Sequence, residues 1–250
     1  MRAVLATDLS DAIEAAISST TCLECLKRYG INKIDLVTVT SPNVTTGMPG
    51  SDVGEQTRRA LDRERETLRA EGFDVETYVV RGSPHRRING IAERVDADLI
   101  IVGSRGQSPL EERFIGSTAQ NVARTAVRPL LIQRIVDDDG PRLANEHLFQ
   151  RVLYATDFSE NAARAFEQFQ CLRTPTKEAT LLHVTPPERR ADPDIVSDAH
   201  EKLDELAAEL SEMGIEAHTS IREGETVSEI LAAEAEVDPT TILLGSRGRS

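Results

Sequence analysis

The strongest constraint on the fold of this chain is that its sequence runs through one pattern twice. Residues 151–159 (RVLYATDFS) repeat the pattern of residues 3–10 (AVLATDLS) nearly residue for residue. The sequence GSRG likewise occurs at residues 103–106 and again at residues 245–248. The offset between the two copies is about 145 residues, which is too long for a solenoid and fits two copies of one domain.

Each copy alternates short apolar segments with amphipathic ones. In the first copy the apolar, β-rich runs lie near residues 2–7, 35–40, 74–81, 99–104 and 129–136. In the second copy they lie near residues 151–156, 178–185, 216–222 and 240–246. This alternation predicts βαβ units with right-handed crossovers, and therefore two tandem α/β domains with open parallel sheets.

The repeat also sets the expected domain boundaries. The first domain is predicted over residues 1–136 and the second over residues 150–250. Residues 137–149 between them begin with a charged, turn-rich stretch and are predicted to be a linker. Because the second copy stops shortly after its GSRG sequence, we expect it to be truncated after its fourth strand.

Two glycine-bearing turns in the first copy indicate an anion site. Gly103-Ser104-Arg105-Gly106 follows an apolar run directly, and nine residues separate Gly106 from Gly116-Ser117. Glycines let backbone N–H groups approach an anion without interference from Cβ. A helix that begins at the second turn adds N–H donors and the positive end of its dipole. The pattern favours a phosphate cradle, with a purely structural turn as the alternative, and its spacing differs from both the Rossmann fingerprint and the P-loop.

The spacing G-x2-G-x9-G-[ST] resembles the nucleotide-binding signature of the universal stress protein family. Residues 4–10 are similar to the family's first strand and Asp-bearing turn, residues 36–40 to its second strand, and residues 81–84 to the turn after its third. The resemblance covers residues 1 to about 136 and then starts again in the second copy. It implies a Rossmann-like strand order of 3-2-1-4-5, with the ligand beyond the carboxyl ends of strands 1 and 4.

The resemblance also implies roles for individual residues. In ATP-binding members the Asp after strand 1 contacts the nucleoside, which assigns that role to Asp8, while capping of the first helix is its alternative function. Val39 is expected near the adenine, and Ala6 stands where the family often has proline. The expected cofactor-binding residues are Ala6, Thr7, Asp8, Val39, Val102, Gly103, Ser104, Arg105, Gly106, Gly116, Ser117, Thr118 and Ala119. Their counterparts in the second copy are Thr156, Asp157, Val184, Gly245, Ser246, Arg247 and Gly248.

The charge of the chain is distributed unevenly. The net charge is −13, and residues 1–136 carry equal numbers of acidic and basic side chains, so the whole excess lies in residues 137–250. An acidic surface repels polyphosphates and nucleic-acid backbones. We therefore expect the first copy to bind the nucleotide in preference to the second, and we expect no nucleic-acid partner.

Composition narrows the remaining function classes. No apolar run is long enough for a membrane span and no signal-peptide pattern is present, which predicts a cytoplasmic protein without a membrane partner. The cysteine count of three is odd and argues against a disulfide framework, so Cys22 and Cys25 are expected to pack in a core. The helix predicted near residues 194–213 has apolar residues at helical spacing, whereas residues 52–71 are rich in arginine and glutamate and are predicted to form a solvated face.

The implied function is a stress-response module that binds ATP or a related adenine nucleotide in the first copy. Mg²⁺ would arrive with the phosphates, because no carboxylate cluster marks a dedicated metal site. The sequence contains no evident nucleophile–base pair or Walker-type lysine, so no catalytic residue is assigned. Slow ATP hydrolysis or autophosphorylation at Ser117 or Thr118 is the most that the resemblance implies.

Two other functions remain open. The first is an interaction module of the same fold that binds no nucleotide and pairs through its fifth strand, residues 129–136, either within the chain or as a homodimer. The second is a related α/β nucleotide hydrolase such as an adenylating ligase. Those enzymes carry an S-G-G-x-D-S loop after strand 1, and residues 6–10 have the sequence ATDLS in its place.

Overall fold

The computed structural model describes residues 1–40, 53–104, 115–137, 141–144, 147–187 and 193–245. The chain divides into two compact units, Met1–Glu146 and His147–Ser250, called here the first and second domains. None of the helices in these described ranges is both long and apolar enough to cross a membrane.

The first domain is built around a parallel sheet. Its strands are β1 (Arg2–Thr7), β2 (Lys33–Thr40), β3 (Asp74–Arg81), β4 (Leu99–Gly103), β5 (Leu130–Gln133), β6 (Ile135–Asp137) and β7 (Pro141–Leu143). Its helices are α1 (Asp11–Ser18), α2 (Thr20–Tyr29), α3 (Val53–Ala70), α4 (Pro84–Arg94) and α5 (Ser117–Thr125). The main sheet has the order β3-β2-β1-β4-β5 with every neighbouring pair parallel, which confirms the predicted topology.

The central strands are buried on both faces. Successive side chains of a strand point to opposite faces, and Ala3, Val4 and Leu5 of β1 are all buried. Helices therefore cover both sides of the sheet, as is usual for parallel sheets made of βαβ units. The buried thiols of Cys22 and Cys25 on α2 belong to this core, as expected.

The stretch predicted to be a linker begins with ordered structure. Strands β6 and β7 form an antiparallel hairpin in which Ile135 lies opposite Leu143. Both side chains are buried, and β7 packs against α1. The first part of residues 137–149 is therefore attached to the first domain.

The second domain repeats the first four strands of this arrangement. Its strands are β8 (Arg151–Thr156), β9 (Glu178–Thr185), β10 (Glu216–Glu223) and β11 (Thr241–Leu244). Its helices are α6 (Glu160–Phe166), α7 (Phe169–Leu172), α8 (Pro193–Glu212) and α9 (Thr226–Val237). The sheet order is β10-β9-β8-β11, all parallel, which matches β3-β2-β1-β4 of the first domain.

Helices α3 and α8 are equivalent elements. Each is followed by a glycine with positive φ, Gly72 at 90° and Gly214 at 82°. Because the chain enters the next strand directly after each glycine, counting back from it aligns the two helices. Leu61 and Leu68 of α3 then correspond to Leu203 and Leu210 of α8, and all four side chains are buried. One side of α3 is therefore buried, while most of its other positions are exposed, as predicted for residues 52–71.

The amino ends of the two sheets hold arginines in different environments. In the first domain Arg2 forms a two-pronged ion pair with the fully buried Asp35, with N···O distances of 2.5 and 2.6 Å. In the second domain the equivalent Arg151 bonds Asp238, whose side chain is 90% exposed. This end of each sheet lies opposite the predicted ligand edge, so both ion pairs are structural.

Candidate functional site

The carboxyl ends of β1 and β4 lie side by side in the first domain. These two strands are neighbours in the sheet, and the strand order reverses between them. Parallel α/β sheets bind ligands beyond the strand ends at such a switch point. The two sequence motifs found far apart in the chain, Thr7-Asp8 and Gly103-Ser104, therefore meet at one edge.

The turn after β1 is held by its own side chains. The Leu9 N–H donates to Thr7 Oγ1 at 2.9 Å, and the Ser10 N–H donates to Asp8 Oδ1 at 3.1 Å. Side-chain acceptors of this kind replace the backbone acceptor of a tight turn and tolerate left-handed conformations, and Leu9 has φ 60°. Asp8 holds this turn, and its half-buried side chain lies at the edge.

The two glycine turns of the motif are joined by a hydrogen bond. The Gly116 N–H donates to the Ser104 carbonyl at 2.8 Å. The Ser104 N–H donates in turn to the Gln133 carbonyl at 2.8 Å, and Ser104 Oγ accepts from the Ile135 N–H at 3.0 Å. The N–H groups of Ser104 and Gly116 are therefore used in hydrogen bonds within the protein, and the bond from Gly116 holds the start of α5 against the end of β4.

Helix α5 presents its amino terminus at this edge. Gly116 is the N-cap residue and supplies no side-chain cap bond, and the backbone ladder begins with the Gln120 N–H on the Gly116 carbonyl. The N–H groups of Ser117, Thr118 and Ala119 precede that first bond and have no partner within the helix. Unpaired N–H groups and the positive end of the helix dipole are the features that favour an anion at a helix N-terminus.

Three apolar residues of the predicted site form its floor. Val102 is buried, and Ala6 and Val39 are partly buried against the same core cluster. Each lies at or next to the carboxyl end of its strand, on β4, β1 and β2 respectively. They support the edge from below and leave the polar contacts to the turns.

Part of the predicted site lies outside the described residues. These are Arg105 and Gly106 in the first domain and Ser246, Arg247 and Gly248 in the second. Within the described ranges no group of three or more His, Cys, Asp or Glu side chains is placed to hold a metal ion.

The second domain repeats the turn after its first strand. The Phe158 N–H donates to Thr156 Oγ1 at 2.9 Å, and the Ser159 N–H donates to Asp157 Oδ1 at 3.0 Å. Phe158 has φ 57°, so it is the counterpart of Leu9. Val184 is buried near the end of β9, as Val39 lies near the end of β2.

Gly245 follows β11 where Gly103 ends β4. A Cβ atom on Gly245 would lie 2.9 Å from both the carbonyl carbon of Asn161 and the backbone nitrogen of Ala162 in α6. Contacts this short do not occur between real Cβ atoms and backbone. The end of β11 approaches α6 so closely that only glycine fits.

The sequence analysis missed one polar residue at the first-domain site. Glu64 of α3 is only 7% exposed and lies beneath the turn, where Thr7 Oγ1 donates to its Oε1 at 3.0 Å. Burial raises the pKa of Glu64 to about 7, and nearby Glu14 and Asp8 add to the rise, while the Thr7 bond and Arg63 oppose it. Comparing the two copies would have revealed this residue, because Leu206 of α8 occupies the equivalent position.

The same layer of the second domain is filled by rings. Phe158 stacks on His183 of β9 with ring centroids 4.6 Å apart, and Lys202 Nζ lies 5.4 Å from the Phe158 centroid. His183 Nδ1–H donates to the Thr156 carbonyl at 2.9 Å. Burial lowers the pKa of His183 despite that bond, so the neutral ring is favoured.

Two open parallel α/β domains, each with an Asp-bearing turn at the carboxyl edge of its sheet, define a tandem α/β protein with the Rossmann-like fold. The model of the Universal stress protein family matches residues 1–134 and 148–250, and the chain belongs to that family.

Individual relatives agree with this assignment. A universal stress protein of Methanocaldococcus jannaschii is 35% identical over 78 residues, which is 31% of this chain and 48% of that protein. A universal stress protein of Bacillus subtilis is 32% identical over 84 residues, covering 34% of this chain and 57% of that protein. The chain therefore spans about half the length of the curated relatives it matches.

A solved structure extends the similarity to nearly the whole chain. The crystal structure of a universal stress protein from Archaeoglobus fulgidus superimposes with a TM-score of 0.74 at 27% identity. The match covers 96% of this chain and 85% of that one, so it includes both domains.

Proposed function

We propose that the first domain binds ATP or a related adenine nucleotide at the edge formed by β1 and β4, and that the protein acts as a cytoplasmic stress-response module. The observation that carries this proposal is the bond from the Gly116 N–H to the Ser104 carbonyl. It holds the N-terminus of α5 at the switch point, next to the Asp8 turn. A nucleoside at Asp8 and phosphates at Ser117–Ala119 would then bind along one continuous edge.

Charge supports assigning the nucleotide to the first domain. That half of the chain is electrically balanced, whereas the second half carries the net negative charge. A polyphosphate carries several negative charges and avoids an acidic surface, and Mg²⁺ bound to its phosphates would reduce this repulsion only in part. We therefore expect one nucleotide per chain.

The decisive experiment is isothermal titration of MgATP into the wild-type chain and into Asp8→Ala and Asp157→Ala. The two variants are matched, because each removes the same turn bond from one domain. We expect one equivalent to bind, Asp8→Ala to weaken binding at least about tenfold, and Asp157→Ala to leave it unchanged. Gly116→Val, which crowds the start of α5, should also reduce binding. Absence of binding to the folded wild-type protein would overturn the proposal, and two equivalents would overturn the assignment to one domain.

A second candidate function is self-association through β5. This strand lies at the edge of the sheet, and its Leu130, Leu131 and Ile132 are only half-buried. Edge strands with apolar side chains pair readily with other strands. Light scattering of the wild type and of Leu131→Lys tests it: a dimer mass that falls to the monomer value in the variant is the expected result, and a wild-type monomer excludes pairing between chains.

A further inference from the structure

The carboxyl group of Glu64 has an unusual environment for a surface-helix glutamate. Its Oε1 accepts the Thr7 hydroxyl hydrogen, whereas its Oε2 is buried and has no hydrogen-bond partner among the residues that the structure describes. An ionised carboxylate accepts several hydrogen bonds, and leaving one oxygen unpartnered in the interior disfavours the charged form. The environment therefore favours a protonated Glu64.

A small cavity lies beside this carboxyl. The cavity has a volume of about 40 Å³, enough for at least one water molecule, and Leu9 and Glu64 both line it. Glu14 and Ser18 of α1 and Arg63 and Thr67 of α3 complete its polar lining. The cavity offers room for a water molecule, and so for a proton donor, beside the carboxyl.

The charged groups that face Glu64 come from three elements. Asp8 lies on the turn above it, Glu14 on α1, and Arg63 on its own helix. Two of the three are acidic, so an ionised Glu64 would place a third negative charge next to the turn. Their balance with burial holds the pKa of Glu64 at about 7, which divides the site between charged and neutral forms near neutrality.

The second domain shows that the turn forms without a carboxyl group at the position of Glu64. Leu206 replaces it in α8, yet the turn at Thr156 and Asp157 has the same two hydrogen bonds and the same left-handed residue. The Thr-Asp sequence alone is sufficient to shape the turn. The shape of the turn therefore does not require Glu64, which differs from Leu206 in accepting the Thr7 hydrogen bond and in carrying a titratable group.

We propose that Glu64 makes nucleotide binding at the edge shared by the Thr7–Asp8 turn and the start of α5 depend on its own protonation, so that the neutral carboxyl favours the polyphosphate and the ionised carboxylate repels it. The inference rests on the proposed function, because the anion is the phosphate chain of the nucleotide. By linkage, the ligand must then increase the affinity of Glu64 for its proton to the same degree that the proton increases the affinity for the ligand.

The test compares MgATP titrations of the wild type and Glu64→Gln at about pH 6 and about pH 8.5. Glutamine keeps an acceptor for Thr7 and cannot ionise, and ATP's own titration is common to both proteins. If the ligand raises the pKa of Glu64 by half to one unit, the wild type should bind MgATP about three- to sevenfold more tightly at the lower pH than at the higher. This factor is the wild-type affinity ratio between the two pH values divided by the same ratio for the variant. Titrations in two buffers of different ionisation enthalpy should also show net proton uptake that is larger in the wild type.

A second variant guards against misfolding of the first. Glu64→Leu copies the side chain that the second domain accommodates, and it should behave like Glu64→Gln in losing the proton dependence. Carbon-13 carboxyl resonances provide a separate readout: the Glu64 midpoint should lie near 7 without ligand and rise when MgATP is added.

Each result distinguishes this inference from the proposed function. Equal pH dependence and equal proton uptake in wild type and both variants would overturn the role of Glu64 while leaving nucleotide binding intact. A Glu64 midpoint in the range of ordinary glutamates would do the same. Absence of MgATP binding at both pH values would overturn both proposals.

Discussion

The two domains share one turn and differ in the layer beneath it. Below the first turn lie the Glu64 carboxyl and a small cavity, whereas the second turn has the stacked rings of Phe158 and His183, and Leu206 occupies the helix position equivalent to Glu64. The turns themselves have the same hydrogen bonds at nearly the same distances. The comparison teaches that the Thr-Asp sequence determines the shape of the turn, while the residues under it determine its charge. The amino ends of the two sheets also differ, because the arginine there pairs with a buried aspartate in the first domain and with an exposed one in the second. This difference gives the largest expected effect on stability.

Replacing Arg2 should destabilise its domain far more than replacing Arg151. Arg2→Met leaves the buried Asp35 carboxylate without its partner, which costs about 3–5 kcal/mol, whereas Arg151→Met removes an exposed pair worth about 1 kcal/mol or less. Hydrogen exchange of the strand amides, followed by mass spectrometry, reports each domain separately. The double variant Arg2→Met, Asp35→Thr, which copies Thr180 of the second domain, should recover most of the loss. Equal costs at Arg2 and Arg151 would contradict the difference.

Glu64 should make the first domain less stable as pH rises. The folded-state pKa of Glu64 is about 7, above the ordinary glutamate value of 4.5. Between these values the folded domain keeps a proton that the unfolded chain has lost, so the stability of the domain falls as pH rises through this range and stays low above it. Glu64→Gln should therefore stabilise the first domain by about 3 kcal/mol near pH 8.5 and have little effect near pH 5. Urea unfolding monitored by exchange at both pH values measures this, with the second domain as the internal control. A constant difference between the proteins at all pH values would show that Glu64 does not titrate in this range.

Removing the threonine hydroxyl should cost more in the first turn than in the second. Thr7→Val deprives both the Leu9 N–H and the Glu64 carboxylate of a partner, at about 2 kcal/mol. In the second domain the matched change Thr156→Val removes the acceptor of the Phe158 N–H, at about 1 kcal/mol. In the background of Glu64→Leu, the cost of Thr7→Val should fall to that of Thr156→Val. Failure of the costs to converge there would mean that the Thr7–Glu64 bond contributes nothing to the difference.

The smallest expected effect is a pH dependence of opposite sign in the second domain. Burial lowers the pKa of His183 below its ordinary value, so the unfolded chain binds the proton more readily and stability falls as pH decreases below about 6.5. His183→Gln should flatten this decline without changing the first domain. Exchange rates of β9 amides, corrected for intrinsic pH effects, measure it. An unchanged slope in the variant would assign the decline to other groups.

Much of the fold follows from the repeated apolar pattern. The alternation of β-rich runs with helices predicted the open parallel sheets. The strand order and the meeting of the Asp8 turn with the Gly103 turn were predicted from the family resemblance. Glu64 was missed because α3 is rich in arginine and glutamate, and nothing in the sequence of the helix distinguishes this glutamate from its solvated neighbours. The use of the Ser104 amide as a donor to Gln133 was not predictable, since it depends on the register of two strands that are distant in sequence.

Gly245 shows that a glycine in a sequence motif can be required by packing and not by a ligand. In the second domain this glycine is required by steric exclusion, since any side chain would collide with the backbone at the start of α6. Selection would retain it even in a lineage that had never encountered a nucleotide. The first glycine of the second GSRG sequence is therefore explained by the close packing of a strand against a helix. Its presence is not by itself evidence that the second domain binds phosphate. The informative positions in such repeats are those that the fold itself leaves free to vary, and position 64 with its counterpart 206 is one of them.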